Sequence, residues 1–192
     1  MDKKNKLTED NILKIIAWFD IFGHVLSEEE MQILLNPPFI KRRTSGIPPL
    51  NERGVGGIHL HLPNREHLIK KRIQSDQINK KLWDKINFWT KIFKKIPFIK
   101  MIAVCNTLAF GCPDKNSDID LFIVTSKNRL FIARTLITFI TQICGIRRHG
   151  NKTKGRFCLS FFVTEDALDF TNIQIPNGDP YLAFWTVTLK PL

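Results

Sequence analysis

Apolar residues in this chain fall into two rhythms, one of three to four residues and one of two. Between Thr8 and Gly23, Ile12, Leu13, Ile16 and Phe19 recur at helical spacing behind Asp10, which predicts an amphipathic helix stopped by Gly23. Residues 1–7 read as a frayed polar lead. Ser27 followed by Glu28-Glu29-Glu30 is a capping-box start for a second helix reaching about Leu35. The longest stripe, Ile69, Ile73, Leu82, Ile86, Trp89, Phe93 and Ile96, predicts one helix over 65–96, ended by Pro97. Ile99–Val104 is then a continuous apolar run of buried-strand length, and Ser117–Val124 alternates as a strand does. Ser126 stands where it can cap a helix running to Cys144, closed by Gly145. Arg156–Val163 reads as a further strand. Residues 181–192, with Phe184 and Trp185, are apolar enough to dock on the fold.

These elements predict an α+β protein, a small mixed sheet flanked by helices and preceded by a small helical segment. The expected divisions are 1–64, a linking helix over 65–97, and a sheet domain over 98–192. Two helices joined by a glycine turn, then a wing at Val55 to Leu62 with Gly54, Gly56 and Gly57 at its turn, suit a winged helix-turn-helix. The helix that would read a major groove is hard to place. Asn36-Pro37-Pro38 and Ile47-Pro48-Pro49 bracket Lys41-Arg42-Arg43 and oppose a helix there. The segment reads as abridged, better suited to packing or dimerisation than to sequence-specific DNA reading.

Composition adds a partner class. Of 192 residues, 29 are Lys or Arg and 18 are Asp or Glu, for a net charge of +11, with 15 Phe and 43% hydrophobic residues. Residues 1–100 hold 19 basic against 11 acidic residues. Such an excess suits a polyanionic partner, a nucleotide or nucleic acid, and equally a merely lysine-rich globular chain. No stretch is apolar and long enough to span a bilayer, so no membrane role is expected. Cys105, Cys112, Cys144 and Cys158 lack metal-type spacing and read as small buried hydrophobes. With no signal peptide in the lysine-rich start, the expected compartment is a reducing cytoplasm. His59 and His61 share a strand face, with no third ligand evident.

Candidate chemistry sits in Ser117-Asp118-Ile119-Asp120-Leu121-Phe122-Ile123-Val124. Strand alternation aims Asp118 and Asp120 the same way and puts Ile119, Leu121 and Ile123 in a core. Two like charges held that close call for a cation, and oxygen ligands suit Mg2+ or Mn2+. Acids on an exposed edge strand, there only to block pairing, are the plain alternative. Upstream, Asn106 tolerates left-handed backbone angles, and Thr107 offers a hydroxyl to a phosphate or caps a helix. The loop after Gly145 gathers Arg147, Arg148, His149, Lys152, Lys154 and Arg156, a basic hairpin or a set of phosphate contacts.

Together, Asn106-Thr107, Leu108-Ala109-Phe110-Gly111, Ser117 and the Asp118-x-Asp120 strand resemble the nucleotidyltransferase superfamily of DNA polymerase beta. Asn106-Thr107 stands in that family's Gly-Ser place, and Asp118 and Asp120 in its metal-binding places. The resemblance is strongest over 98–125 and closest to small bacterial proteins with a winged-helix-like segment. It implies a nucleotidyltransferase fold over 98–192 and transfer of a nucleoside monophosphate from an NTP, with ATP expected, to an acceptor hydroxyl. It also implies catalytic, Mg2+- or Mn2+-holding roles for Asp118 and Asp120, and nucleotide-binding roles for Asn106, Thr107 and Ser117. Many members carry a third carboxylate on the later strand. Arg156–Val163 has none, with Ser160 at its middle and Glu165, Asp166 and Asp169 past its end. Relatives run on past the equivalent of residue 192, so the chain reads as a shortened member. Two other readings stand beside this one: a non-catalytic nucleotide-binding or regulatory module of the same fold, and a simple DNA-binding regulator.

Overall fold

The computed structural model describes residues 3–28, 30–31, 59–175 and 180–192. They fall into two units, Met1–Gln77 and Ile78–Leu192.

In the first unit, helix α1 spans Lys3–Ile21. It starts five residues earlier than the apolar stripe suggests, because nothing in Lys3-Lys4-Asn5-Lys6-Leu7 breaks a helix. Gly23 ends it at φ +63°, with its N–H and that of His24 closing on Asp20 O and Phe19 O. Strand β1 (Leu26–Ser27) pairs antiparallel with β2 (His59–Leu60); of the expected wing, residues 59–62 are described, and β2 lies in them. Ser27 and Glu30 form the capping box reciprocally. Ser27 N–H donates to Glu30 Oε2 at 2.9 Å, and Glu30 N–H to Ser27 Oγ at 3.2 Å. The rest of that second helix, the double prolines, Lys41-Arg42-Arg43 and Gly54, Gly56 and Gly57 lie outside the described residues.

Helix α2 covers His67–Phe93, slightly inside the predicted span, and the boundary between units falls within it. Its first turns carry Arg72, only 8% exposed. That guanidinium donates to both Glu30 oxygens, at 2.8 and 3.0 Å, to Val25 O at 2.9 Å and to Asp76 Oδ1 at 2.9 Å. Its Nη1 also lies 2.7 Å from His24 Nε2. Arginine has only donors, so His24 Nε2 accepts. Burial pushes the Glu30 carboxyl up, yet the bonds and charge of Arg72, with the Ser27 N–H, outweigh it and hold Glu30 below its usual range.

The second unit is α+β, built on a four-stranded mixed sheet. Its elements are β3 (Ile99–Val104), the short helix α3 (Asn106–Ala109), β4 (Ile119–Thr125), α4 (Leu130–Ile143), β5 (Phe157–Thr164), α5 (Pro180–Val187) and β6 (Lys190–Pro191). The sheet order is β5-β4-β3-β6, with β4 and β5 parallel and the other pairs antiparallel. Parallel strands need a crossover, and α4 supplies it. Ile119, Leu121, Ile123 and Phe157 are at most 1% exposed, and Phe93 of α2 meets Phe157 edge-on at 5.2 Å. The opposite face carries Phe122 against Trp185 of α5, ring centroids 5.5 Å apart. Residues 181–192 do dock: Trp185 is buried and Lys190–Pro191 pair with Val104 and Ala103.

Helix α4 begins at Leu130, not beside Ser126. The Ser126 N–H extends the strand ladder to Phe98 O at 2.8 Å, and Asn128 turns left-handed before the helix starts. Gly145 follows its end at φ +63°. Ala133, Ile137 and Thr141 are buried, while Phe131, Ile132, Phe139 and Ile143 remain exposed. Among the described residues, no helix is long and apolar enough to cross a membrane.

Candidate metal centre

Strand directions collect the chemistry at one edge of the sheet. Val104 pairs with Leu121, and Ile119 with Phe157, so the end of β3 lies beside the starts of β4 and β5. Backbone bonds pin this edge: Cys105 N–H to Asp120 O at 3.1 Å, Ile119 N–H to Arg156 O at 2.8 Å, and Gly155 N–H to Ser117 O at 2.8 Å.

Asp118 and Asp120 converge there with Cys158, one ligand atom from each lying within 4.8 Å of the others. Cys158 is the β5 residue in register with Asp120. Asn106 stands on the other side at φ +58°, the left-handed backbone its residue type tolerates. Its side chain is held at both ends. Asn106 Nδ2 donates to Asp120 Oδ2 at 2.9 Å, and Trp185 Nε1 donates to Asn106 Oδ1 at 2.8 Å. Thr107 is exposed on α3 beside it. Ser117 lies in the preceding turn, where its Oγ accepts from Asp114 N–H at 2.8 Å and donates to Asp114 Oδ1 at 3.2 Å.

Asp118 faces Arg148, whose Nη1 donates to Oδ2 at 2.7 Å and to Cys158 Sγ at 3.6 Å. Burial pushes the Asp118 carboxyl up, the Asp120 charge adds to it, and Arg148 opposes both. Burial also pushes up the Cys158 thiol, with the Ser160 hydroxyl 2.9 Å away working against it and Asp120 reinforcing it. Cys105, just before Asn106, is raised the same way by burial and then by Asp120. Two carboxyls and a thiol thus share a half-buried corner with one cation, Arg148, on the outer acid. That donor set fits a divalent ion: the oxygens suit Mg2+ or Mn2+, and a sulfur ligand shifts preference toward softer ions.

Among the described residues, none of the acids past β5 joins this cluster. Glu165 pairs with Lys100, Asp166 with Lys127, and Asp169 accepts from Thr171. Two members of the corner are not apparent from sequence patterns of the usual kind. Cys158, expected as an inert hydrophobe, faces the acids, and exposed Cys144 also departs from that expectation. The available signal was the period-two pair Cys158 and Ser160 on a strand that a crossover helix returns beside Asp120. Arg148 was visible only as one of six charged loop residues.

On the β5 side a cavity of about 560 Å3 opens, lined by Arg134, Arg147, Arg148, His149, Cys158 and Ser160 among others. No protein-family model, curated protein or solved structure matches the chain.

Proposed function

We propose that this chain is a divalent-metal-dependent nucleotidyltransferase of the DNA polymerase beta type, moving a nucleoside monophosphate from an NTP, with ATP expected, to an acceptor hydroxyl. In the reaction the acceptor hydroxyl gives up its proton to solvent, a bond from its oxygen to the α-phosphorus forms, and the bond from that phosphorus to the departing pyrophosphate breaks. The observation that carries the reading is the convergence of Asp118 and Asp120 beside Asn106 at one sheet edge. Asp118 and Asp120 hold the ion, with Cys158 in reach of the same point. A bound Mg2+ or Mn2+ supplies positive charge against the negative charge that builds on the transferred phosphoryl group. Asn106 fixes Asp120, while Thr107, exposed beside it, offers a hydroxyl to a triphosphate oxygen. Ser117 shapes the turn that delivers Asp118. Positioning and electrostatics carry such a transfer without a protein nucleophile.

The test is Mg2+- or Mn2+-dependent incorporation of labelled nucleotide into a panel of hydroxyl acceptors, abolished by Asp118→Asn. Undiminished labelling in that variant refutes the assignment. One observation favours a second reading, a nucleotide-binding module without turnover: Cys158 stands on β5 facing the acids, and Glu165, Asp166 and Asp169 are engaged elsewhere. NTP binding by calorimetry without pyrophosphate release would favour that module; pyrophosphate release excludes it.

A further inference from the structure

The arginine-lined cavity beside the acid pair is absorbed by neither the ion nor the triphosphate. Asn106 and Thr107 follow β3, on one side of β4, whereas the cavity lies on β5, on the other side. Cys158 belongs both to the acid corner and to the cavity wall. A ligand seated against Cys158 therefore lies next to the residue whose sulfur is within 4.8 Å of the Asp118 and Asp120 oxygens, on the β5 side of β4 and away from Asn106.

We infer that this cavity binds the acceptor, and that the acceptor is a phosphate-bearing molecule of about mononucleotide size. The acceptor role rests on the transferase reading; the phosphate preference rests on the cavity itself. Three guanidiniums line it, and of these three only that of Arg148 has a carboxylate partner among the described residues. The Arg134 guanidinium lies over the Phe162 ring at 5.4 Å, a cation–π contact that anchors it at the cavity wall. Among the described residues the Arg147 guanidinium has a long 3.4 Å contact with the neutral Gln142. Planar forks of this kind match phosphate oxygens in pairs.

Arg134 is fixed on helix α4, and the loop that carries Arg147 and Arg148 is held before any ligand arrives. Arg148 N–H donates to Phe157 O at 2.9 Å, Lys152 N–H to His149 O at 2.9 Å, and Arg156 Nη1 to Gly145 O at 2.6 Å. Preorganisation of this kind lowers the cost of binding. A volume of about 560 Å3 suits a small molecule rather than a folded polymer. The same charge repels a polycationic acceptor. Arg148 ties the cavity to the ion site: a cation on Asp118 competes for the carboxylate that Arg148 now holds at 2.7 Å, leaving the guanidinium to the acceptor.

The experiment is calorimetric titration of the full chain with AMP and with ribose 5-phosphate, at low salt in EDTA. Saturable binding of both is expected, weakened about tenfold for each arginine removed in Arg134→Gln and Arg147→Gln. Far-ultraviolet dichroism checks that both variants fold. Unchanged affinity in the folded double variant, or no saturable binding of either probe, overturns the inference. Stronger competition by short single-stranded RNA than by AMP overturns the small-ligand assignment. Since neither NTP nor divalent ion is present, failure here is separate from failure of transfer. Binding lost while labelling persists removes the cavity alone, and binding without labelling of any acceptor removes the acceptor role and leaves a phosphate site.

Discussion

Asp118→Asn separates an ion ligand from a structural acid. Without an ion the change removes one contact to Arg148, whose side chain is 46% exposed, so solvent screening limits the loss to about 0–1 kcal/mol. It also removes a like charge beside Asp120, which offsets part of that loss. The ion-free variant should therefore melt within about 4 °C of the unaltered chain. With an ion at about 100 times its dissociation constant, the native chain gains about 2.7 kcal/mol by mass action. For a unit the size of Ile78–Leu192, 1 kcal/mol moves Tm by about 4 °C, so the gain is about 10 °C. Scanning calorimetry with Mg2+, Mn2+ or Zn2+ against EDTA reads both quantities. The expected result is a rise of that order in the unaltered chain and little or none in Asp118→Asn. An equal rise in both proteins, or none in either with any of the three ions, refutes the metal assignment.

Arg72→Ala should destabilise the first unit by about 3–5 kcal/mol in urea, since Glu30 at 5% exposure loses its counter-charge; Arg72→Met combined with Glu30→Leu should recover much of it. A single-variant loss under about 1 kcal/mol contradicts the buried-pair account. Because Glu30 is held below its ordinary value of 4.5, its contribution is complete above that pH and fades as pH falls through the lowered value. Acid titration of stability should show that decline, and Glu30→Gln should flatten it. Asn106→Ala should cost about 2–4 kcal/mol, from the bonds to Asp120 and Trp185 and the left-handed backbone. Asn106→Gly should regain only about 1 kcal/mol of that, and full recovery would show that the side-chain bonds contribute nothing.

Local signals carried much of this architecture. The stripe from Ile69 to Phe93 and the Gly23 and Gly145 stops act within a few turns of chain, and they appear where periodicity places them. The Ser27–Glu30 box needs only its own four residues. Strand β4 begins at Ile119, two residues later than the alternation suggests, yet Asp118 just before it and Asp120 within it still converge, a property of one short stretch of chain. What stayed hidden depends on pairings across long separations. Cys158 meets Asp120 only through the β4–β5 register, which shifts between Asp120 and Phe122, and no local pattern fixes such a shift. Arg148 finds Asp118 only because the loop after α4 is bridged back to Phe157. Ser126 does not cap α4 because the strand ladder runs on through its N–H and a turn with Asn128 in the left-handed region intervenes, so the helix starts only at Leu130, out of reach of its hydroxyl.

Trp185 grips Asn106, and Lys190–Pro191 zip onto Val104 and Ala103, one residue short of Cys105. Residues 181–192 are therefore a clasp on the chemistry some eighty positions earlier in sequence. A protease nick, a bulky fusion or an antibody acting there would loosen Asp120 without ever approaching it, so a handle for purification belongs at the opposite end of the chain.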